Sequence, residues 1–203
     1  MWASQDWKHH VFLRTFLPPR SRELRPQIYK TKEMEEPMFR GSYQYHFVTR
    51  WRVEANAQEV YDVISDPLQF PRWWRCVYRS VTEIEAGDSS GIGRCLSLHT
   101  KGWLPYALRW ESVTLKAFPP HLIAIRAEGD LGGRGVWRFE QSGTFVDISF
   151  DWRVTAAKPL LRRLSFVCKP VFAANHRWAM RKGLECLKAE LVHRRSLAWR
   201  ASA

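Results

Sequence analysis

His176 is the residue whose type and setting best suit proton chemistry. It stands beside Asn175 in the run FAANHRWAMRKGLECLKAEL. An imidazole ionises near neutral pH, which suits a general base or a group that polarises a carbonyl. At helical spacing it shares a stripe with Phe172, Met180, Gly183, Leu187 and Leu191, so it points where those residues point. The competing reading is a structural histidine, hydrogen-bonded to a strand or tucked under Trp178. No Asp or Glu is placed by the sequence to orient it.

Aromatic residues form the second set. Trp73-Trp74 can stack on a flat or apolar ligand, or one of the pair can close the core instead. Tyr106, Trp110, Trp137 and Trp152 fall in strand-like runs and are expected as a mixture of cavity wall and core. Arg109, Arg126 and Arg138 fall in the same runs. They are expected on the wet face with Glu111, Glu128 and Glu140, because an inward arginine needs an acidic partner.

Other chemistries find no support. The seven histidines show no metal-ligand spacing, and no metal site is expected. GDLGGRG at 129–135 lacks the Lys-Ser/Thr ending of a phosphate loop and runs into a strand, so its glycines are expected to serve a wide hairpin turn. No nucleophile with an ordered base is visible, and no cofactor is expected.

The elements that must position these side chains follow from periodicity. Phe47, Thr49, Trp51 and Val53 alternate with His46, Val48, Arg50 and Arg52 as a strand does. ANAQEVYDVISDP then reads as a short helix, with Asn56 and Glu59 as its capping box and Asp66-Pro67 as its end. LQFPRWW reads as a second short helix or turn. Six strand-like runs follow, near 77–85, 93–101, 106–117, 122–128, 134–142 and 144–155. The last places Val146, Ile148, Phe150, Trp152 and Val154 on one face, as an antiparallel sheet packed on one side requires. KPLLRRLSFVC is expected to form a linking turn or two. Pro170 is expected to start a long amphipathic helix running to about Arg194, with Gly183 admitting a strand or ligand.

Charge is uneven along the 203 residues. The net +12 divides into +3 over residues 1–45, zero over 46–157 and +9 over 158–203. The final helix thus has a basic outer face. That face is either simply solvated or makes a weak contact with an anionic membrane surface; specific nucleic-acid binding is not expected. No run of about 18 apolar residues exists to span a membrane, and Asp6, Lys8, His9 and His10 stand where a signal peptide needs an apolar core. The four cysteines lack a C-x-x-C pair and read as free thiols, so a cytoplasmic protein is expected.

Residues 1–44 are expected as an extension, partly disordered, with a short amphipathic element near Trp7–Leu17; translation starting at Met34 or Met38 is the alternative. Residues 45–195 are expected as a ligand-binding domain and 196–203 as a tail.

The order of strand, two short helices, six strands and long helix resembles the START-like (Bet v 1-like) superfamily, and within it the bacterial polyketide cyclase/dehydrase and lipid-transport-like branch. The resemblance is carried by VEANAQEVYDVISDPLQFPRWW (53–74), GDLGGRGVWRFE (129–140) and FAANHRWAMRKGLECLKAEL (172–191). It implies an α+β helix-grip fold, a curved seven-stranded antiparallel sheet around the C-terminal helix. It also implies an internal hydrophobic cavity with Trp73-Trp74 near its mouth, and no metal or nucleotide. Ligand contacts are then expected from Trp73, Trp74, Tyr106, Trp110, Trp137, Trp152, Phe172, Asn175, His176 and Met180. The expected function is carriage or sensing of a hydrophobic small molecule or lipid. The alternative is a cyclase or dehydratase in which His176 is catalytic.

Overall fold

The fold is described from a computed structural model, which covers residues 45–156 and 159–202, with side chains from 156 to 168 left aside. The expectations for the N-terminal extension, its amphipathic element and its start site lie outside the described residues.

Strand β1 (Tyr45–Glu54) is followed by helix α1 (Ala57–Ile64), a 3-10 turn (Pro67–Gln69) and helix α2 (Phe70–Trp73). Strands β2 (Tyr78–Glu85), β3 (Cys95–Thr100), β4 (Leu108–Phe118), β5 (Leu122–Gly129), β6 (Leu131–Ser142) and β7 (Phe145–Ala156) come next, and helix α3 (Pro159–Ala201) ends the chain. The seven strands form one antiparallel sheet in the order β1-β7-β6-β5-β4-β3-β2. Irregular pairing near Tyr78, Glu83 and Thr114 helps the sheet curl, since a bulge bends its strand. This is the helix-grip architecture the sequence predicts.

The capping box at α1 forms as expected. Glu59 N–H donates to Asn56 Oδ1 at 2.8 Å, and Asn56 N–H donates to Glu59 Oε2 at 3.0 Å. Val60 and Val63 are fully buried beneath the helix. Glu59 also takes two bonds from Arg195, at 2.8 and 2.9 Å, so the cap of α1 is tied to α3. A second tie joins α2 to α3. Glu190 is buried, and it accepts hydrogen bonds from Arg72 and from Arg194.

Two expectations about α3 are corrected. The helix is continuous from Pro159, with Pro170 inside it, so there is no separate linking turn. Pro159 already occupies the proline-tolerant start, and the PLLRRL segment is rich in good helix formers. The helix also runs past Arg195 to Ala201. Among the described residues, no helix is long and apolar enough to cross a membrane.

The glycines of GDLGGRG do not form a wide turn. β5 runs through Gly129 and β6 begins at Leu131, leaving Asp130 alone between them. Gly135 lies within β6 opposite Trp152, and a Cβ there would come within 2.7 to 2.9 Å of the Trp152 and Phe150 rings. The glycine gives those rings room to lie flat on the strand. Arg109, Arg126 and Arg138 sit on the outer face, as expected. Their inward neighbours are Trp110, Ile125 and Trp137, and Arg126 pairs with Glu128 at 2.8 Å.

Candidate functional site

The sheet wraps α3 without filling the space beneath it. A cavity of about 270 Å³ remains, walled by β3 to β7, the start of β1, the two short helices and α3. That volume sits near the lower end of ligand sites, which span roughly 300–1,000 Å³.

The cavity has an apolar waist and two polar ends. Leu96, Leu98, Trp110, Trp137, Phe150 and Met180 line its middle. The rings support one another: Trp137 stacks on Phe150 with centroids 4.1 Å apart, and Phe150 stacks on Trp152 at 5.4 Å. Trp110 donates its indole N–H to Thr100 Oγ1 at 3.1 Å, so that tryptophan presents carbon to the cavity without an orphaned donor.

At one end, Phe172, Asn175 and His176 of α3 meet the beginnings of β1 and β4. His176 lies flat on Phe47, with ring centroids 4.2 Å apart and an interplanar angle of 14°. Its Nε2 is buried and, among the described residues, has no hydrogen-bond partner. Burial, aided by the charge of Arg177, lowers its pKa to about 4, so the ring is neutral at physiological pH. Neither structural arrangement expected for this histidine occurs: it is held by a phenyl face rather than by a strand hydrogen bond or by Trp178. A neutral imidazole with an open nitrogen can accept or donate one hydrogen bond, and it can serve as a base but is a poor reservoir of protons.

Asn175 is already engaged. Its Oδ1 accepts from Trp103 N–H at 3.0 Å and from Leu104 N–H at 3.4 Å, which fastens the β3–β4 loop over this end of the cavity. Tyr106 in the same loop meets Phe172 edge to face at 6.4 Å.

The other end lies where α1 meets the sheet. Tyr61, Ile64 and Ser65 close it from above, and Ser112, Thr114 and Arg94 line it from the sheet. Arg94 is the one charged side chain among the described lining residues. Its Nε donates to Glu83 Oε2 at 2.6 Å.

Nine of the ten expected contact residues thus border the cavity: Trp74, Tyr106, Trp110, Trp137, Trp152, Phe172, Asn175, His176 and Met180. Trp73 does not. It is buried behind Trp74, stacked on it at 5.5 Å and against Phe70 at 5.2 Å, so the pair divides into one core residue and one wall residue. Trp74 is itself 2% exposed, deep in the wall rather than at a mouth. Gly183 is the reason it fits: a Cβ there would lie 2.2 Å from the Trp74 ring. What comes close to Gly183 is therefore an indole, neither a strand nor a ligand. Phe47, Phe150, Ser112 and Thr114 also line the cavity and are not among the expected contacts, although Phe150 shares the alternating stripe of Trp152. Arg94 carries no periodic signal, because it follows directly on the glycine turn GIG.

On the outside of α3, Arg177, Arg181, Lys188 and Arg200 are exposed, with Trp199 among them at 78% exposure.

Residues 44–192 match the family described as polyketide cyclase/dehydrase and lipid transport. The chain belongs to that family. Solved structures of the same fold include the Zhui aromatase/cyclase of a Streptomyces species, 18% identical, with a TM-score of 0.58 over 74% of this chain and 94% of that one. A Thermus thermophilus protein is 13% identical with a TM-score of 0.58, over 72% and 99% of the two chains. A START superfamily protein of Mycobacterium smegmatis is 12% identical with a TM-score of 0.57, over 73% and 97%. At these identities the likeness shows the shared fold. No curated protein matches the sequence.

Proposed function

We propose that this member of the polyketide cyclase/dehydrase and lipid transport family binds an apolar small molecule or lipid inside the sheet, as a carrier or sensor. The cavity beneath α3, walled mainly by aromatic and aliphatic side chains, carries the reading. Burying a ligand's apolar surface there gains roughly 25 cal/mol per Å². Native mass spectrometry of protein taken directly from cells tests it, together with quenching of the four cavity tryptophans by added ligand. An adduct that organic extraction removes supports the reading. A bare mass, and fluorescence that no apolar compound alters, would end it.

A second reading has one observation in its favour. His176 borders the cavity, its ring is neutral, and among the described residues its Nε2 has no hydrogen-bond partner. A bound carbonyl compound could use it for proton transfer, as a cyclase or dehydratase needs. His176→Gln would then abolish turnover of a bound polyketide-like substrate while leaving its affinity within a few-fold. Turnover that survives the change removes this role.

A further inference from the structure

We infer that the cavity selects ligands carrying an anionic head, a carboxylate above all, and that Arg94 receives it. The inference rests on the proposed ligand-binding role of this cavity and names the ligand's chemistry. Arg94 directly precedes β3, and its backbone bonds to Thr114 of β4: Thr114 N–H donates to Arg94 C=O at 3.0 Å. The side chain borders the cavity and is 20% exposed.

A guanidinium carries five donors. Among the described residues Nε alone has a partner, the Glu83 carboxylate at 2.6 Å. Among the described residues, neither Nη group finds an acceptor. That leaves an unspent pair of N–H groups on a side chain that borders the cavity, whose other described lining residues carry no charge. A carboxylate can accept from both Nη groups while Nε stays with Glu83, and Ser112 and Thr114 add hydroxyls on the same wall. A neutral ligand leaves those donors to water.

The geometry also sets a direction. Thr114 and Leu108 are both lining residues of β4, and Leu108 stands at the His176 end. Six residues of strand at about 3.3 Å each separate them by roughly 20 Å. The ligand is therefore a long amphiphile, with its charged head at Arg94 and its apolar tail along the tryptophans toward Phe172 and His176.

The test compares dodecanoate with its methyl ester at a pH where the acid is ionised. Binding is read by quenching of intrinsic tryptophan fluorescence below the micelle concentration. The acid is expected to bind about tenfold more tightly than the ester, or better, as a charge-assisted pair implies. Arg94→Gln should bring the two affinities together by weakening the acid's, with thermal unfolding by circular dichroism reporting an intact fold. Arg94→Lys should keep part of the preference, and Glu83→Gln should widen it by removing a competing carboxylate. Equal affinities in the unaltered protein, or a preference that survives Arg94→Gln, would overturn the inference and leave the binding role standing. Failure of both probes to bind would take the binding role with it.

Discussion

Replacing Gly183 with alanine should destabilise this protein, against the usual effect of that change in a helix. On an isolated helix alanine is the better residue by about 1 kcal/mol. Gly183 is buried in α3 against Trp74, and a Cβ would lie 2.2, 2.6 and 2.7 Å from three carbons of the indole. Ordinary contact begins at 3.4 Å, so ring and helix must part by more than an ångström. The ring cannot easily yield. Trp51, Phe70, Trp73 and Tyr78 surround it with centroids 5.1 to 5.9 Å away. Overpacking of this kind costs about 1–3 kcal/mol, and contacts this short place it at the upper end. After the helical gain, a net loss of about 2 kcal/mol remains. For a chain of this size that lowers Tm by about 4–8 °C. Thermal unfolding followed by circular dichroism measures it. In a Trp74→Phe background the same alanine should cost much less, because the smaller ring leaves space. A Tm that rises on Gly183→Ala, or a cost unchanged in that background, would refute the steric reasoning.

The buried groups give further expectations. His176 has a folded pKa of about 4 against an ordinary 6.5, so the unfolded chain takes up a proton first as pH falls. Stability should therefore be at its full value above about pH 6.5 and decline toward pH 4, by up to about 3 kcal/mol; His176→Phe should flatten denaturant midpoints across that window. Burial works to raise the Glu190 pKa, but the bonds from Arg72 and Arg194 outweigh it and hold the carboxyl below its usual range. Its contribution is present above about pH 4.5 and is lost as pH falls through the folded value. Glu190→Gln should cost about 1–3 kcal/mol at neutral pH, since the partly exposed arginines can turn to water, and should remove this acid limb. Asn175→Ala frees the N–H groups of Trp103 and Leu104, so hydrogen exchange at those two amides should quicken with a stability loss of about 1 kcal/mol; unchanged exchange would show that other contacts hold the loop.

Local rules located most of the elements because each leaves a periodic or stereochemical trace. The alternation in β7 and the Asn56–Glu59 cap are readable within a dozen residues, and both occur where expected. The start of α3 is ambiguous in the sequence because Pro170 satisfies a first-position rule that Pro159 satisfies as well. The glycines after Asp130 look like a turn in one dimension, whereas Gly133 admits the backbone of Arg153 and Val154 and Gly135 admits the rings of Trp152 and Phe150 on the neighbouring strand.

The cavity wall divides in the same way. Alternation and helical spacing say which face of an element an aromatic occupies, and Trp110, Trp137, Trp152, His176 and Met180 accordingly gather around one space. Spacing cannot say how far a side chain reaches or what stands opposite it. Trp73 and Trp74 are adjacent, yet Gly183, more than a hundred residues away, makes room for one indole in the wall while the other drops behind it.

The sequence by itself determined the order of the elements, the apolar face of each and the gathering of aromatic residues on one side, because side-chain direction follows from backbone period. Only the tertiary structure decided that His176 is neutral with an unpartnered Nε2, that Asn175 fastens a loop, and that Arg94 borders the cavity. Those properties arise from neighbours brought together by the curl of the sheet, and burial, partner and pKa exist only once that space is enclosed.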